Sequence, residues 1–274
     1  MKQQTLGFIG AGNMAGSLIG GLVSDGHDPG SIWVSDIDTA KLKDLASRFG
    51  VHTSQDNQQV VEQSQVVVLA VKPQILQSVA VGLAEAVQRC KPLVVSIAAG
   101  IEEAALERWL GEGVPIVRCM PNTPALVKTG ATALHGNQWA TEEQKNQAEA
   151  VMRAVGLAVW VEQEPLLDAV TALSGSGPAY FFLVMEAMEA AAVQLGLDQA
   201  TARLLTQQTA LGAARIAIES EESPADLRQR VTSPGGTTER AIQAFERGGL
   251  AGLVEQAMRA AAERSAELSR QLGG

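Results

Sequence analysis

The chain has 274 residues, of which 46% are hydrophobic, so it can bury the core of one large domain or two ordinary ones. Its formal net charge of −9 argues against binding nucleic acid through a basic surface. No apolar run is long enough to span a membrane as a helix, and the two cysteines, Cys90 and Cys119, form no metal-ligand motif. We therefore expect a cytoplasmic protein with reduced thiols that binds neither nucleic acid, membrane nor metal.

Up to residue 163 the chain alternates between apolar runs and segments with helical spacing. Strands are predicted at residues 6–10, 31–36, 51–53, 66–71, 93–99, 115–120, 131–135 and 158–162. Several of these runs are continuously apolar, which is typical of a parallel sheet covered by helices on both faces. Strands that alternate with helices predict a doubly wound α/β domain, and the Thr141–Gln144 segment predicts a capping box.

After Pro165 the sequence shows no convincing strand. Helices are predicted at residues 178–195, 198–219, 224–231, 238–247 and 250–272, with Asp198 and Ser223 as N-caps. We therefore divide the chain into a Rossmann-like dinucleotide-binding domain, residues 1–163, and an all-helical domain for dimerisation and substrate binding, residues 164–274. The apolar faces of these helices carry many small residues, which predicts packing against a second subunit.

The segment TLGFIGAGNMAG, residues 5–16, lies between the first strand and the first helix. Gly10 permits a tight turn, Gly12 lets the backbone approach a pyrophosphate, and the following helix directs its N-terminus at the phosphates. The candidate cofactor-binding residues here are Gly10, Gly12, Asn13 and Met14. The alternative is a glycine-rich turn without a ligand.

The second strand ends at Ser35 and Asp36. An acid at this position usually bonds the ribose 2′-hydroxyl and favours NAD. Ser35 could instead bond a 2′-phosphate, with Lys41 or Arg48 nearby, and Asp36 could be a simple helix cap. From the residues alone, the balance favours NAD.

Further cofactor-binding candidates follow later strands, whose carboxyl ends border one crevice in a doubly wound sheet. They are Asn57, Ala70, Val71, Lys72, Pro73, Ala98, Ala99, Gly100, Asn122 and Thr123. The small residues among them leave room for a nicotinamide ring, whereas Lys72 could equally be a solvated loop lysine. Cys119 is expected to be a packed strand thiol.

The helical half lacks a conventional base, because no His, Lys or Cys follows Lys145. A dehydrogenase acting on a hydroxyl commonly uses His or Lys for the O–H proton. A protonated imine brings its own proton and suits such a site better.

The segment VTSPGGTTERA, residues 231–241, exposes backbone N–H groups at a helix start, where the dipole attracts an anion. Its predicted substrate-binding residues, which would hold a small carboxylate, are Ser233, Gly235, Gly236, Thr237 and Thr238. Gly236 is expected to need a positive φ. The alternative is a loop that only turns the chain. A second segment with helix-breaking residues, Leu173–Pro178, could line the same substrate cleft as this loop or form a turn at the domain junction.

Five motifs together resemble the pyrroline-5-carboxylate reductase family. They are FIGAGNMA (8–15), LAVKPQ (69–74), RCMPNTPALVKTGATAL (118–134), LSGSGPAYFF (173–182) and VTSPGGTTERAI (231–242). The resemblance implies reduction of 1-pyrroline-5-carboxylate to L-proline by NADPH, with NADH also accepted, in a homodimer that can assemble into decamers. It also implies that Thr238 acts on the ring nitrogen in catalysis and that Ser35 lies at the 2′-phosphate, although Asp36 weighs against that cofactor preference.

Three alternatives stay open beside this resemblance. A β-hydroxyacid dehydrogenase would need a lysine in the helical domain, and none is present there. A reductase for a larger imine fits the small carboxylate loop less well. A nucleotide-sensing protein would bind the cofactor without turning it over.

Overall fold

A computed structural model describes residues 4–273 of the chain. Its contacts divide the chain into two compact units: one runs to Ser176 and includes the end of the chain from Ala260, and the other is Gly177–Arg259. The first unit contains the sheet, and the second is helical. The division at residues 163 and 164 was drawn from sequence texture and stays a prediction.

The first unit is built on one eight-stranded sheet with the order β3-β2-β1-β4-β5-β6-β7-β8. The strands are β1 (Leu6–Ile9), β2 (Ile32–Ser35), β3 (His52–Ser54), β4 (Val66–Leu69), β5 (Leu93–Ser96), β6 (Ile116–Met120), β7 (Gly130–Gly136) and β8 (Gly156–Trp160). All neighbouring strands are parallel except β6 and β7, which are antiparallel. The predicted doubly wound α/β fold is confirmed.

Helices that alternate with the strands cover this sheet. They are α1 (Asn13–Ser24), α2 (Thr39–Phe49), α3 (Asn57–Glu62), α4 (Pro73–Cys90), α5 (Glu103–Leu110) and α6 (Glu142–Arg153). Alternate residues of one strand enter different cores: Val66 and Val68 pack with α1, whereas Val67 and Leu69 pack with α4. Both sheet faces are therefore buried, which explains the continuously apolar strands.

The rest of the chain is helical, as predicted. Its helices are α7 (Leu166–Val170), α8 (Gly177–Gln194), α9 (Gln199–Glu219), α10 (Pro224–Arg230), α11 (Thr237–Arg247) and α12 (Leu250–Leu272). The expected caps are present: Thr141 and Gln144 form a capping box, Asp198 accepts from the Thr201 N–H, and Ser223 accepts from the Asp226 N–H. No helix among residues 4–273 has the length and apolar character needed to cross a membrane.

The segment Leu173–Pro178, predicted as a break before a helix, contains a bend at Ser176, and α8 starts at the next residue. Residues Thr171–Gly175 form a π-helical turn between α7 and α8, in which the Ser176 N–H donates to the Thr171 carbonyl at 2.8 Å. This turn is wider than an α-helical turn and is followed by the bend at Ser176, where the first compact unit also ends. Such π turns are frequent at functional sites. We call Thr171–Gly175 the π turn.

The C-terminal end of α12 packs in the first unit. Ser265 Oγ donates to Asp168 Oδ1 at 2.6 Å, and Arg108 donates to the Gly273 carbonyl. At Gly100, whose φ is +71°, an added Cβ would lie 3.3 Å from Leu268 Cβ. The end of the chain therefore covers the loop that follows β5.

A partly buried ionic network lies beside the antiparallel strands β6 and β7. Arg118 NH1 donates to Glu164 Oε1 at 2.5 Å, and the same carboxylate oxygen accepts from the Glu103 N–H at 2.7 Å. Glu103 Oε1 lies 2.8 Å from His135 Nδ1. Burial raises the pKa of the Glu103 carboxyl, against the His135 hydrogen bond that lowers it. The network fastens the chain to the sheet at the point where it enters its helical part.

Candidate active site

The cofactor-binding candidates lie after the carboxyl ends of parallel strands. Gly10 follows β1, Asp36 follows β2, Ala70 follows β4 and Ala98 lies just beyond β5. Since β1, β2, β4 and β5 run parallel and side by side, these ends meet at one edge of the sheet. The strand order reverses between β1 and β4, which is where dinucleotides bind in doubly wound sheets.

Gly10 is a glycine because the fold requires it. Its φ is +107°, and an added Cβ would lie 2.8 Å from the carbonyl oxygen of Ala70. Its N–H donates to the Ser35 carbonyl at 2.8 Å. Gly10 therefore joins the ends of β1, β2 and β4 through its backbone.

Gly12 is different, because the fold itself would accept a side chain there. Its φ of −76° is ordinary, and an added Cβ would meet no atom within 4 Å. Gly12 is the N-cap of α1, no side chain caps this helix end, and its first turn carries no acidic residue. The site therefore offers open space in front of a helix N-terminus, as a pyrophosphate needs.

Asp36 holds the glycine loop in place. Its Oδ2 accepts from the Ala11 N–H at 2.8 Å, and its Oδ1 accepts from the Asp38 N–H at 2.9 Å. Both carboxylate oxygens thus accept backbone hydrogen bonds. Asp36 therefore orders this loop whether or not it also contacts a ribose. Ser35 is fully buried, with its Oγ 3.5 Å from the Phe8 carbonyl, so this conformation does not present the hydroxyl to a ligand. Its contact with a 2′-phosphate stays a prediction.

A groove of about 600 Å³ opens beside the glycine loop between α1 and α2. Gly12 and Asn13 line its α1 side, and Lys41 and Arg48 line its α2 side. Lys41 Nζ lies 3.8 Å from Asp38 Oδ2, and Arg48 pairs with Asp44, but all of these side chains are largely exposed. The cations Lys41, Arg48 and Lys128 therefore line the same groove as the open helix end.

The remaining candidates occupy different positions along the edge. Lys72 is exposed and Pro73 opens α4, whereas Ala70, Val71 and Ala99 are half-buried. Met14 is half-buried and packs against the core. Asn57 opens α3 after β3, at the outer side of the sheet, and lines a separate groove of about 330 Å³.

The structure gives Asn122 a role that the sequence did not indicate. The residue is only 9% exposed. Its Oδ1 accepts from the Ala131 N–H at 2.8 Å, and its Nδ2 donates to the Ser174 carbonyl in the π turn at 3.0 Å. Thr123 is exposed, and Cys119 is a buried thiol whose pKa is raised by burial, as expected of a packed strand residue.

The predicted carboxylate loop, Ser233–Thr238, lies in the helical unit. Gly235 has a φ of +74°, whereas Gly236 is extended with φ −80° and ψ 173°. The expectation of a positive φ at Gly236 was therefore wrong, since Gly235 makes the turn. Gly236 is restricted for another reason: an added Cβ would lie 2.9 Å from the Ser233 carbonyl oxygen.

The N-terminus of α11 is open to an acceptor. Gly236 is its N-cap, and no side chain caps it, so the first-turn N–H groups of Thr237 and Thr238 are left for another partner. The Glu239 carboxylate accepts from the Gly235 N–H at 2.9 Å, so this loop already binds a carboxylate of its own chain. Sequence reasoning missed Glu239, although an acid three residues after an N-cap is a known capping signal.

Comparison with known proteins gives full-length matches. A family model described as pyrroline-5-carboxylate reductase dimerisation matches residues 164–268. A second model, described as NADP oxidoreductase coenzyme F420-dependent, matches residues 5–100. The chain is 52% identical to the pyrroline-5-carboxylate reductase of Pseudomonas aeruginosa over 273 residues, which cover 100% of both chains.

Solved structures agree with this comparison. A pyrroline-5-carboxylate reductase from Coxiella burnetii has a TM-score of 0.94 at 50% identity, covering 97% of this chain and 98% of that one. Plasmodium falciparum pyrroline carboxylate reductase, solved with NADP bound, has a TM-score of 0.86 at 27% identity, covering 98% of this chain and 99% of that one.

Replacing Gly12 with valine should abolish dinucleotide binding while the protein still folds. The added side chain enters space that no protein atom occupies, so the unfolding free energy should fall only by about the 1 kcal/mol of an altered N-cap. Fluorescence titration with NADPH and thermal unfolding of one sample would measure both effects. As a contrast, Gly10→Ala should lower stability itself, because its Cβ meets the Ala70 carbonyl. Normal NADPH affinity in Gly12→Val would contradict the assignment.

Proposed function

The chain belongs to the pyrroline-5-carboxylate reductase family, and we propose that it reduces the C=N bond of 1-pyrroline-5-carboxylate to L-proline with NAD(P)H. The observation that carries this proposal is the 52% identity, over the full length, with a reductase of that name, together with the open helix end at Gly12. The reaction is the last step of proline synthesis.

The chemistry fits a helical half without His, Lys or Cys after Lys145. Bound nicotinamide supplies a hydride to the imine carbon, and the proton already on the imine nitrogen stays there in the product amine. The enzyme therefore needs to bind and orient the substrate more than to move a proton. In this proposal the Ser233–Thr238 loop binds the substrate carboxylate, and the Thr238 hydroxyl orients the ring nitrogen.

We propose that both cofactors are accepted and that NADPH is preferred. Asp36 supports this indirectly, because its two oxygens are engaged by the N–H groups of Ala11 and Asp38. Lys41 and Arg48 line the groove beside the glycine loop and can approach a 2′-phosphate. These cations favour the more negatively charged cofactor.

The purified protein should oxidise NADPH only when 1-pyrroline-5-carboxylate is added, with proline as the product. The ratio kcat/KM should be higher for NADPH than for NADH, because the groove cations attract the added phosphate. Absorbance at the nicotinamide band and amino-acid analysis would measure turnover and product. No proline formation would refute the function, whereas a clear NADH preference would refute only the cofactor assignment.

Self-association is supported by the helical unit, which carries the dimerisation match. On α8 the consecutive residues Phe181 and Phe182 are 70% and 64% exposed, so this helix leaves large apolar side chains uncovered in one chain. We propose a homodimer through this unit, which can assemble further into decamers. The cytoplasmic location, and the expectation that neither nucleic acid nor membrane takes part, stay predictions.

Light scattering at micromolar concentration should find no stable monomer of the wild-type protein. Phe182→Asp should shift the population towards monomer, because a carboxylate would have to be desolvated at the interface. Glu186→Gln, on the same helix, is the matched control and should leave the mass unchanged. A folded and active wild-type monomer would refute this interface.

Thr238→Ala should lower kcat/KM for the imine roughly ten- to a hundredfold, since a hydrogen bond to a charged group contributes about 1.5–3 kcal/mol. NADPH affinity and melting temperature should stay nearly unchanged, because no side chain caps α11. Thr232→Ala is the control: its hydroxyl donates to the Arg228 carbonyl at 2.6 Å, so its loss should cost stability and spare activity. Full activity of Thr238→Ala would mean that this hydroxyl has no catalytic role.

A further inference from the structure

Asn122 links two segments that lie far apart in the sequence, the loop after β6 and the π turn. We propose that Asn122 is a positioning residue, which holds the π turn at the cofactor edge of the sheet and thereby sets the geometry of hydride transfer. This inference rests on the proposed reductase function.

Both ends of the Asn122 amide are engaged by backbone groups. Oδ1 accepts from the Ala131 N–H at 2.8 Å at the start of β7, and Nδ2 donates to the Ser174 carbonyl at 3.0 Å. With 9% exposure, the side chain has little surface left for a ligand. Its main contribution is therefore to join two backbone segments, and not to touch the cofactor.

The Ser174 carbonyl needs this external donor for a chemical reason. In a continuous α-helix the donor to Ser174 would be residue 178, and Pro178 has no N–H. Ser174 is half-buried, and a carbonyl withdrawn from water without a partner costs free energy, so the Asn122 amide supplies the missing donor. Pro178 and Asn122 therefore belong to one arrangement, although they are 56 residues apart (178 − 122).

The π turn lies against the end of β6. An added Cβ on Gly175 would lie 2.7 Å from Met120 Cε, so only glycine allows this close packing without movement of Met120. Met120 is the last residue of β6, which is the neighbour of β5 and of the Ala98–Gly100 loop. The Asn122 hydrogen bond thus fixes the π turn beside the strand ends where we place the nicotinamide.

Asn137 provides a matched control inside the same sheet. It is also 9% exposed; its Oδ1 accepts from the Ile116 N–H at 3.0 Å, and its Nδ2 donates to the Val114 carbonyl at 2.9 Å. Asn137 lies at the opposite end of β7, next to the start of β6. The two residues have the same side chain and burial, and each joins two backbone segments, although Asn137 Oδ1 also accepts from the Trp139 N–H at 3.2 Å. Only Asn122 is at the cofactor edge.

The substitution Asn→Asp replaces the amide NH₂ donor with a carboxylate oxygen and leaves the size and shape of the side chain unchanged. In Asn122→Asp, a carboxylate oxygen would face the Ser174 carbonyl, and repulsion would displace the π turn. Burial and the facing carbonyl would raise the pKa of this aspartate. On acidification its O–H would again donate to Ser174, so the defect should be reversible with pH. The Asn122 side chain faces backbone groups of β7 and the π turn, and the nearest charged side chain in sequence, Arg118, is paired with Glu164.

The experiment compares Asn122→Asp, Asn137→Asp and wild type in three measurements: steady-state kinetics, NADPH affinity and hydrogen exchange of residues 171–176. We expect similar losses of melting temperature in both variants. Only Asn122→Asp should lose kcat, roughly ten- to a hundredfold, because small displacements of reacting groups are costly. Its KM for NADPH should change less than about threefold, and its kcat relative to wild type should recover as the pH falls from about 8 to about 6.

Faster exchange of residues 171–176 in Asn122→Asp alone would support the positioning role even if the wild type reduced no imine, which separates this inference from the proposed function. Equal kcat in the two variants would overturn it, and so would a loss confined to NADPH affinity.

If Asn122→Asp does not fold, the double variant Asn122→Asp with Pro178→Ala restores an N–H for Ser174. The double variant should give more folded protein than Asn122→Asp and should recover part of kcat. If neither the yield of folded protein nor kcat increases, the proposal is overturned.

Discussion

The close approach of two backbones at the junction of β1 and β4 is the constraint on which the cofactor edge depends. Gly10 can come this near to the Ala70 carbonyl only because it has no Cβ and takes a positive φ. With the two strand ends held together, the chain turns directly into α1 and leaves the helix N-terminus facing the crevice. Asp36 secures the turn from the other side by accepting the Ala11 N–H. The open space at Gly12 is a result of this arrangement.

At both candidate sites the groups left open at the helix end are backbone N–H groups, since no side chain caps either helix. The glycine loop and the Ser233–Thr238 loop each precede an uncapped helix, and each contains a glycine in the left-handed region. Such donors are fixed by the fold and cost little reorganisation when a ligand binds. In the second loop the Gly235 N–H already donates to a carboxylate, that of Glu239 in the same chain.

Much of the fold could be predicted because it depends on local patterns. Continuous apolar runs identified the strands, and the spacing of Gly10 and Gly12 identified the turn, although only the structure separates the glycine that the fold needs from the one that a ligand needs. The pairing of Asn122 with Ser174 could not be predicted, because it joins residues 52 positions apart and no pattern marks it. The choice between Gly235 and Gly236 also failed, since two adjacent glycines give equal signals in the sequence and only the structure shows which one takes the positive φ.

The return of α12 to the first unit has a consequence for synthesis on the ribosome. The loop after β5 is covered by Leu268 and Ser269, and Asp168 bonds Ser265, so part of the nucleotide-binding unit is made from the last residues of the chain. The part of this unit that precedes Gly177 therefore leaves this surface uncovered until the residues from Ala260 onward are in place. Formation of the first unit therefore depends on contacts with residues that are translated after the whole second unit.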